Sequence, residues 1–271
     1  MVKPGSRFSR NLLKVLRNVK RRAAVFWLFL VVNGALYVLL AIILPGRHFV
    51  EDLLVIYAGI YFGISAETNT SALITILTGY AEAQMLAVSE ELDNLWDDAN
   101  KSLKSLGEIS GVAEPQTRNK DKILNDYVRQ QLRDIAWKHT IALKLSGQVE
   151  AMFRGAMTVE FACVTSALIA ELLGGLENTY MQLPYTLLQV TLDCFIGQRL
   201  IDASLVLENA VYCCKWENFD YFNQKTIYLM LLNSQKTLTL SVGGLTILSF
   251  TYLMSVLKSI YSAYTTLRTR L

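Results

Sequence analysis

The chain has 271 residues, 52% of them apolar and 18% charged, and its mean hydropathy is +0.31. Soluble domains carry about 25% charged residues, so both values point to lipid as the main solvent. Four prolines argue against a disordered or loop-rich all-β chain, and four scattered cysteines do not form a secreted disulfide framework. Two histidines, His48 and His139, lie too far apart in sequence for an obvious metal site. The composition describes an all-α, polytopic helical membrane protein and makes most enzyme classes poor candidates.

A basic arm, residues 1–23, opens the chain. Ala24–Leu44 follows, 21 residues without charge and with Asn33 as its one strongly polar side chain. At about 1.5 Å per residue it crosses a hydrocarbon core of about 30 Å. The long basic stretch before it and the Pro45-Gly46 loop signal after it are unlike a signal peptide. Leu53–Val88 is the second apolar stretch, interrupted by Glu67, Thr68, Asn69, Thr70 and Ser71 and by Glu82. Residues 24–88 are therefore read as the first two spanning helices.

Residues 89–148 form a charged connection. Within it Glu90–Leu103 (Leu92, Leu95, Trp96) and Ile123–Lys144 (Ile123, Tyr127, Leu132, Ile135, Ala136) carry apolar residues at helical spacing. Gly107–Lys120, with Gly111 and Pro115, reads as a mobile break between them. The pattern predicts flanking spans that continue into a helical stalk with a loop at its tip. Residues 149–214 hold the third and fourth spans, Gly155–Leu173 with Glu160 and Glu171, and Leu183–Cys214 with Asp193, Arg199, Asp202 and Glu208. One charge at a helix centre costs about 2.5–3.5 kcal/mol on insertion scales. Such helices are stable when their polar faces meet each other or a water-filled cavity. Residues 215–237 follow, with a short amphipathic helix at Asn223–Ser234. Leu238–Leu257, uncharged and ended by Lys258, gives the fifth span, a terminal helix within residues 238–271. No internal repeat or low-complexity tract interrupts this order.

Charge sets the expected orientation. Eight Lys or Arg precede Ala24, nine lie in Ser89–Gly147 and three in Cys213–Thr237, whereas the alternate loops hold Arg47 and none. Twenty of the 26 basic residues thus fall on one side, which the positive-inside rule makes cytoplasmic. The N-terminus is expected inside and, after five crossings, the C-terminus outside.

No HExxH, Walker loop, GxSxG or CxxC motif is present. Arg199 and Asp202 lie three apart on one helix face and can neutralise each other, as a structural pair or on an ion path. Glu67 with Asn69 and Ser71 reads either as an interhelical hydrogen-bond cluster or as part of a water-filled pocket. Asn69-Thr70-Ser71 and Asn100-Lys101-Ser102 match the glycosylation sequon, but the first is expected in the membrane and the second in the cytoplasm. Cys213-Cys214 reads as reduced thiols or a palmitoylation site. The basic arm sets orientation and touches anionic lipid; no soluble basic face for nucleic acid is offered. Tyr37, Tyr57 and Tyr61 gather in the outer halves of the first two spans, as interfacial anchors or as pocket walls.

The last sixty residues carry a resemblance. Ala210-Val211-Tyr212-Cys213-Cys214-Lys215-Trp216 is similar to the Tyr-x-x-x-Trp signature of insect odorant receptors. Gly243, Phe250, Lys258-Ser259-Ile260-Tyr261-Ser262-Ala263-Tyr264 and Leu267 resemble the terminal pattern of that family. Upstream, His139 with Glu150 and Phe153 resembles the opening of its fifth helix, Gly197 with Ser204 its sixth, and Leu44-Pro45 the end of its third. The related gustatory receptors end in a different Thr-Tyr...Gln-Phe motif, which is not found. Lys258 is as in ligand-tuned subunits, and the terminal block is unlike the shared coreceptor. The matches run from the third helix to the seventh, so the chain resembles an N-terminally shortened member, and the family's inverted topology agrees with the charge count.

The resemblance implies a subunit of an odorant-gated, non-selective cation channel that forms a heterotetramer with a coreceptor in the plasma membrane of olfactory dendrites. It implies no cofactor and no catalysis. It places a small volatile ligand near Asn33, Tyr37, Tyr57, Tyr61, Ser65, Tyr185 and Gln189. The final helix, Leu238–Leu267, would line the pore, with small and hydroxyl residues Ser241, Gly243, Gly244, Thr246, Ser249 and Ser255, and with Tyr261, Thr265 and Leu267 near the gate. Helices Ile123–Lys144 and Tyr221–Ser234 would form a cytoplasmic anchor, and Trp137, Trp216, Phe219 and Tyr221 would contact neighbouring subunits. The alternatives are a shortened, ligand-silent receptor fragment and a polytopic transporter or scaffold.

Overall fold

The computed structural model describes residues 6–43, 50–110, 117–174 and 182–268. Four long helices dominate it: α1 (Arg7–Ile43), α2 (Val50–Ser110), α3 (Thr117–Leu173) and α4 (Gln182–Cys213). A 3-10 turn (Trp216–Asn218) leads to the short α5 (Tyr221–Ser234); β1 (Ser241–Val242) and β2 (Thr246–Ile247) precede α6 (Phe250–Arg268). The predominantly helical architecture is as the sequence predicts; four of the apolar segments fall on α1, α2, α3 and α4, and only the latter part of the fifth falls on α6. Helices are what lipid demands, because every backbone N–H and C=O must find its partner inside the segment. Within α2 and α3, Asn69–Ser105 and Lys120–Leu173 are long and apolar enough to cross a membrane by length and composition.

The second and third apolar stretches do continue as helix through the charged connection. The break expected over Gly107–Lys120 is narrower, since α2 reaches Ser110 and α3 starts at Thr117. Gly111 and Pro115 lie outside the described residues, as do Pro45 and Gly46.

One predicted element needs correction. The apolar run Leu238–Leu257 is not a single helix, because its first half forms the β1–β2 hairpin, with Ser241 opposite Ile247 and Val242 opposite Thr246. Gly243 and Gly244 both adopt positive φ, 63° and 73°, and the Leu245 N–H donates to the Val242 carbonyl at 3.1 Å. Only glycine enters that region without a Cβ penalty, so this pair turns the chain. The terminal helix starts at Phe250, and its 19 residues reach about 28 Å, close to one hydrocarbon thickness.

The helices contribute to two compact units, each with its own core. The first comprises the described parts of Met1–Leu16, Tyr80–Gln148 and Arg199–Leu238. In α2 the buried Ala81, Met85, Val88, Leu92, Leu95 and Ala99 form a seam with a 3.5-residue repeat, and Ala83 and Ala87 are buried beside it. Leu124, Val128, Leu132 and Ile135 of α3 and Leu200, Ala203, Leu207 and Ala210 of α4 complete that core. His139 continues the α3 seam; its Nε2 has no hydrogen-bond partner and burial pushes its pKa down to about 4, so the imidazole is neutral near pH 7. Asp220 caps α5 by accepting the Asn223 N–H at 2.9 Å. Asn125 ties this cap to α3, accepting the Asp220 N–H at 2.8 Å and the Asn223 side-chain amide at 3.0 Å.

The second unit comprises the described parts of Arg17–Gly79, Val149–Gln198 and Thr239–Leu271. Val149, Phe153, Met157, Phe161, Val164 and Leu168 form the buried stripe of α3, and Val190, Cys194 and Ile196 that of α4. Gly79 lets α2 approach the Val19 side chain so closely that a Cβ would overlap it. Gly197 does the same for the chain before α6, where a Cβ would stand 2.6 Å from the Leu248 Cβ and against its backbone carbonyl. Replacing Gly197 with Ala is expected to cost about 1–3 kcal/mol, since backbone must move to admit the methyl. Denaturant unfolding in detergent micelles measures it; an unchanged midpoint would mean the close approach carries no constraint.

Candidate ligand-binding site

A cluster of buried and half-buried polar side chains in the second unit draws on three helices. Glu160 of α3 accepts from the Gln189 amide of α4 at 3.0 Å and from the Ser71 hydroxyl of α2 at 3.4 Å. One turn of α4 away, the Thr186 hydroxyl donates to Glu171 at 2.8 Å. Gln189 and Thr186 are buried, and Tyr185 is half-buried beside them in sequence. Thr75 donates to the Ser71 carbonyl at 2.7 Å, so its hydroxyl is served by its own helix. The result is a line of carboxylate, amide and hydroxyl groups set among Phe161, Val164, Leu168 and Val190. Ligand pockets of membrane bundles have this composition, mostly apolar walls with a few placed polar groups.

Of the seven residues expected at a ligand, Tyr185 and Gln189 fall in this unit on α4, and Gln189 joins the polar cluster directly. Asn33, Tyr37, Tyr57, Tyr61 and Ser65 lie on α1 and α2, but their side chains are outside the described residues, as is that of Glu67. Glu160 lies on a span whose polar face is expected to meet other polar groups; spacing alone does not show that its partners are Ser71 of α2 and Gln189 of α4. Glu150 anchors the turn before α6: it accepts both Arg154 Nε and a terminal guanidinium nitrogen, at 2.9 and 2.6 Å, and the Ser241 hydroxyl at 2.6 Å.

The terminal helix presents a distinct surface. Thr251, Ser255, Ser259, Ser262 and Thr266 recur every three or four residues and are all exposed. Ser255, Ser259 and Thr266 donate to carbonyls four residues back, so the stripe is satisfied within its own helix. Ser249, expected among pore residues, caps α6 by accepting the Tyr252 N–H at 3.2 Å. Tyr261 and Leu267 are exposed, and Thr265 donates to the Ser262 carbonyl at 2.9 Å. Ser241, Gly243, Gly244 and Thr246 lie on the hairpin instead of the helix.

In the first unit Trp137, Trp216 and Tyr221 are exposed, Tyr221 by 82%. Phe219, expected at a subunit contact, is instead buried against Trp96 with ring centroids 5.7 Å apart. It faces inward because the 3-10 turn ends there and folds the segment onto α2. Arg199 reaches Glu82 of α2, with Nε 3.1 Å from the carboxylate, a partner that the local Arg199–Asp202 spacing did not suggest. Lys215 donates to Asp97 at 2.8 Å, and this bond holds the Asp97 carboxyl below its usual range.

Long apolar helices that hold a few hydrogen-bonded polar groups and end in a helix with an exposed hydroxyl stripe have the composition of a polytopic helical membrane protein. Residues 46–261 match the family model described as 7tm Odorant receptor. The chain therefore belongs to the odorant receptor family, whose members are receptors and not enzymes. It is similar to Odorant receptor 30a of Drosophila melanogaster, 31% identical over 171 residues that make up 58% of this chain and 44% of that protein. The chain thus spans less than half the length of that relative. Its fold is similar to the olfactory receptor OR5 of Machilis hrabei in complex with eugenol, with a TM-score of 0.70 and 11% identity over 96% of this chain and 69% of that one. The structure of OR5 described without eugenol gives a TM-score of 0.66 and 13% identity over 94% and 68%.

The cluster predicts an unequal response to substitution. Glu160→Leu leaves the buried Gln189 amide and the half-buried Ser71 hydroxyl without this acceptor and is expected to cost about 1–3 kcal/mol. Glu160→Leu with Gln189→Leu is expected to recover part of that loss, because the buried Gln189 amide is then gone while the Ser71 donor remains. Denaturant unfolding of the four members of this cycle tests the coupling, and strict additivity would contradict it.

Proposed function

We propose that this chain is a ligand-tuned subunit of an odorant-gated, non-selective cation channel that assembles with a coreceptor as a heterotetramer. The observation that carries the channel reading is the hydroxyl stripe of α6. It offers water a continuous polar face on a helix about one membrane thick, and copies of α6 from four subunits would line the pore. Tyr261, Thr265 and Leu267, near the outer end of α6, would form the gate region. The charge distribution supports a cytoplasmic N-terminus and an extracellular C-terminus in the plasma membrane of olfactory neurons.

The ligand would enter the outer half of the bundle. There Tyr185 and Gln189, with Asn33, Tyr37, Tyr57, Tyr61 and Ser65 of α1 and α2, would receive a small volatile molecule. Binding would favour the open arrangement by its excess affinity for that state. In the first unit α5 and the middle of α3 would make the cytoplasmic anchor, with Trp137, Trp216 and Tyr221 toward neighbouring subunits. Phe219 would support it from inside.

Co-expression of this chain with an insect coreceptor, with whole-cell current recorded during an odorant panel, tests the proposal. Odorant-specific cation current beyond that of the coreceptor alone is expected. Surface co-assembly with no response to any odorant would overturn it in favour of a ligand-silent subunit, and flux without coreceptor would favour a transporter.

Trp216→Ala tests the anchor separately. A central interface tryptophan contributes about 2 kcal/mol or more to association, so coreceptor co-purification should fall well below the parent level while the ranking of active odorants is kept. Undiminished co-purification would remove Trp216 from the interface.

A further inference from the structure

The first unit contains a cleft whose lining includes none of the residues proposed for the pore, gate, ligand site or anchor. Arg7, Arg10, Asn11 and Lys14 lie on one face of α1 at spacings of three and four, and Glu90, Asn94, Asp98 and Lys101 lie on one face of α2. Between these two faces is an open cleft of about 500 Å³. Four cations and two carboxylates line it, so its walls carry a net positive charge. Arg7 and Lys101 both pair with Asp98. Arg10 and Lys14 form no ion pair among the described residues. The Asn11 amide nitrogen, on the same face, is shielded from solvent and has no acceptor.

We propose that this cleft binds a soluble polyphosphate, an anion with two or more phosphate groups such as a nucleoside triphosphate or an inositol polyphosphate. Guanidinium forks and ammonium groups recognise phosphate oxygens, and several of them converging on one volume suit a multiply charged ligand. A phosphoinositide headgroup shares this chemistry but meets a limit of reach. Ten helical residues separate Lys14 from Ala24, where the apolar run begins, and they place Lys14 about 15 Å along the axis. The headgroup layer on each side of a bilayer is only about 5–8 Å deep. Arg10 and Arg7 lie farther still from the apolar run, within reach of a dissolved anion and beyond that of a lipid phosphate.

The test uses the full chain in phosphatidylcholine nanodiscs, with ATP and inositol hexakisphosphate titrated by thermophoresis. Saturable binding is expected, weakened at least about tenfold by R10Q/K14Q and by raised salt. R17Q/K20Q removes the same charge from α1 outside the cleft and is expected to leave affinity within about twofold. E90Q removes a carboxylate that repels the anion and is expected to tighten binding about threefold or more, a gain that misfolding cannot produce. Equal loss in R10Q/K14Q and R17Q/K20Q would reduce the effect to general electrostatic attraction and overturn the site. Binding only to nanodiscs doped with phosphatidylinositol 4,5-bisphosphate, with none of either soluble anion, would overturn the soluble ligand and assign the cleft to lipid. No binding in any arm would overturn both.

Discussion

A carboxylate inside an apolar helix bundle must be given hydrogen-bond donors by other helices, because the backbone of its own helix has none to spare. Glu160 meets this requirement through Gln189 and Ser71, and Glu171 through Thr186. Each bond ties α3 to a neighbour at a fixed register, so the polar groups that weaken these helices as isolated spans determine how they associate. Glu82 and Arg199 follow the same rule in the other unit, joining α2 to α4. Helices bearing such charges fold only with the partners that satisfy them. An uncharged segment such as Ala24–Leu44 has no such dependence.

The extent of the helices was legible in the sequence because period and hydropathy are local properties. Of the apolar residues at helical spacing in the connection, Leu92, Leu95, Leu132 and Ile135 are buried on helices that run on past the apolar stretches, whereas Ile123 is exposed. The partners of the polar residues were not legible. Arg199 has Asp202 three residues away, yet it bonds Glu82, 117 positions earlier, and Lys215 bonds Asp97, 118 positions earlier. Spacing identifies which residues share a face, but not which other helix that face meets. In the polar cluster of the second unit, the sequence leads one to expect that the charges on α3 meet other polar groups, but not that Glu160 meets Gln189 of α4 and Ser71 of α2.

The hairpin before α6 failed to appear for a different reason. Hydropathy is uniform from Leu238 to Leu257, but periodicity is not. Thr237, Thr239 and Ser241 alternate with Leu238, Leu240 and Val242, a two-residue period, and Gly243-Gly244 follows. That is a strand running into a tight turn, and it outweighs the apolar average. The consequence extends to α4, where Gly197 leaves room for Leu248 and the Gln198 amide oxygen accepts the Phe250 N–H at 3.3 Å. Gly197, picked out in the sequence for its family resemblance, thus has a steric reason to lack a side chain.

Exposed aromatic and aliphatic residues occur in both units, and the charge around them decides what they mean. In the second unit Val25, Trp27, Leu28, Val31 and Val32 are exposed along a stretch of α1 without a single charge, which suits acyl chains. In the first unit Trp137, Tyr221, Phe222 and Tyr228 are exposed among lysines, arginines and carboxylates, and Arg129 lies 4.0 Å over the Phe222 ring. Lipid is a poor neighbour for that mixture. Water would be a costly one for so many large rings, and another protein surface, with aromatic contacts inside a polar rim, satisfies both. The same degree of exposure therefore fits lipid around α1 and, around α5, the subunit contact proposed above.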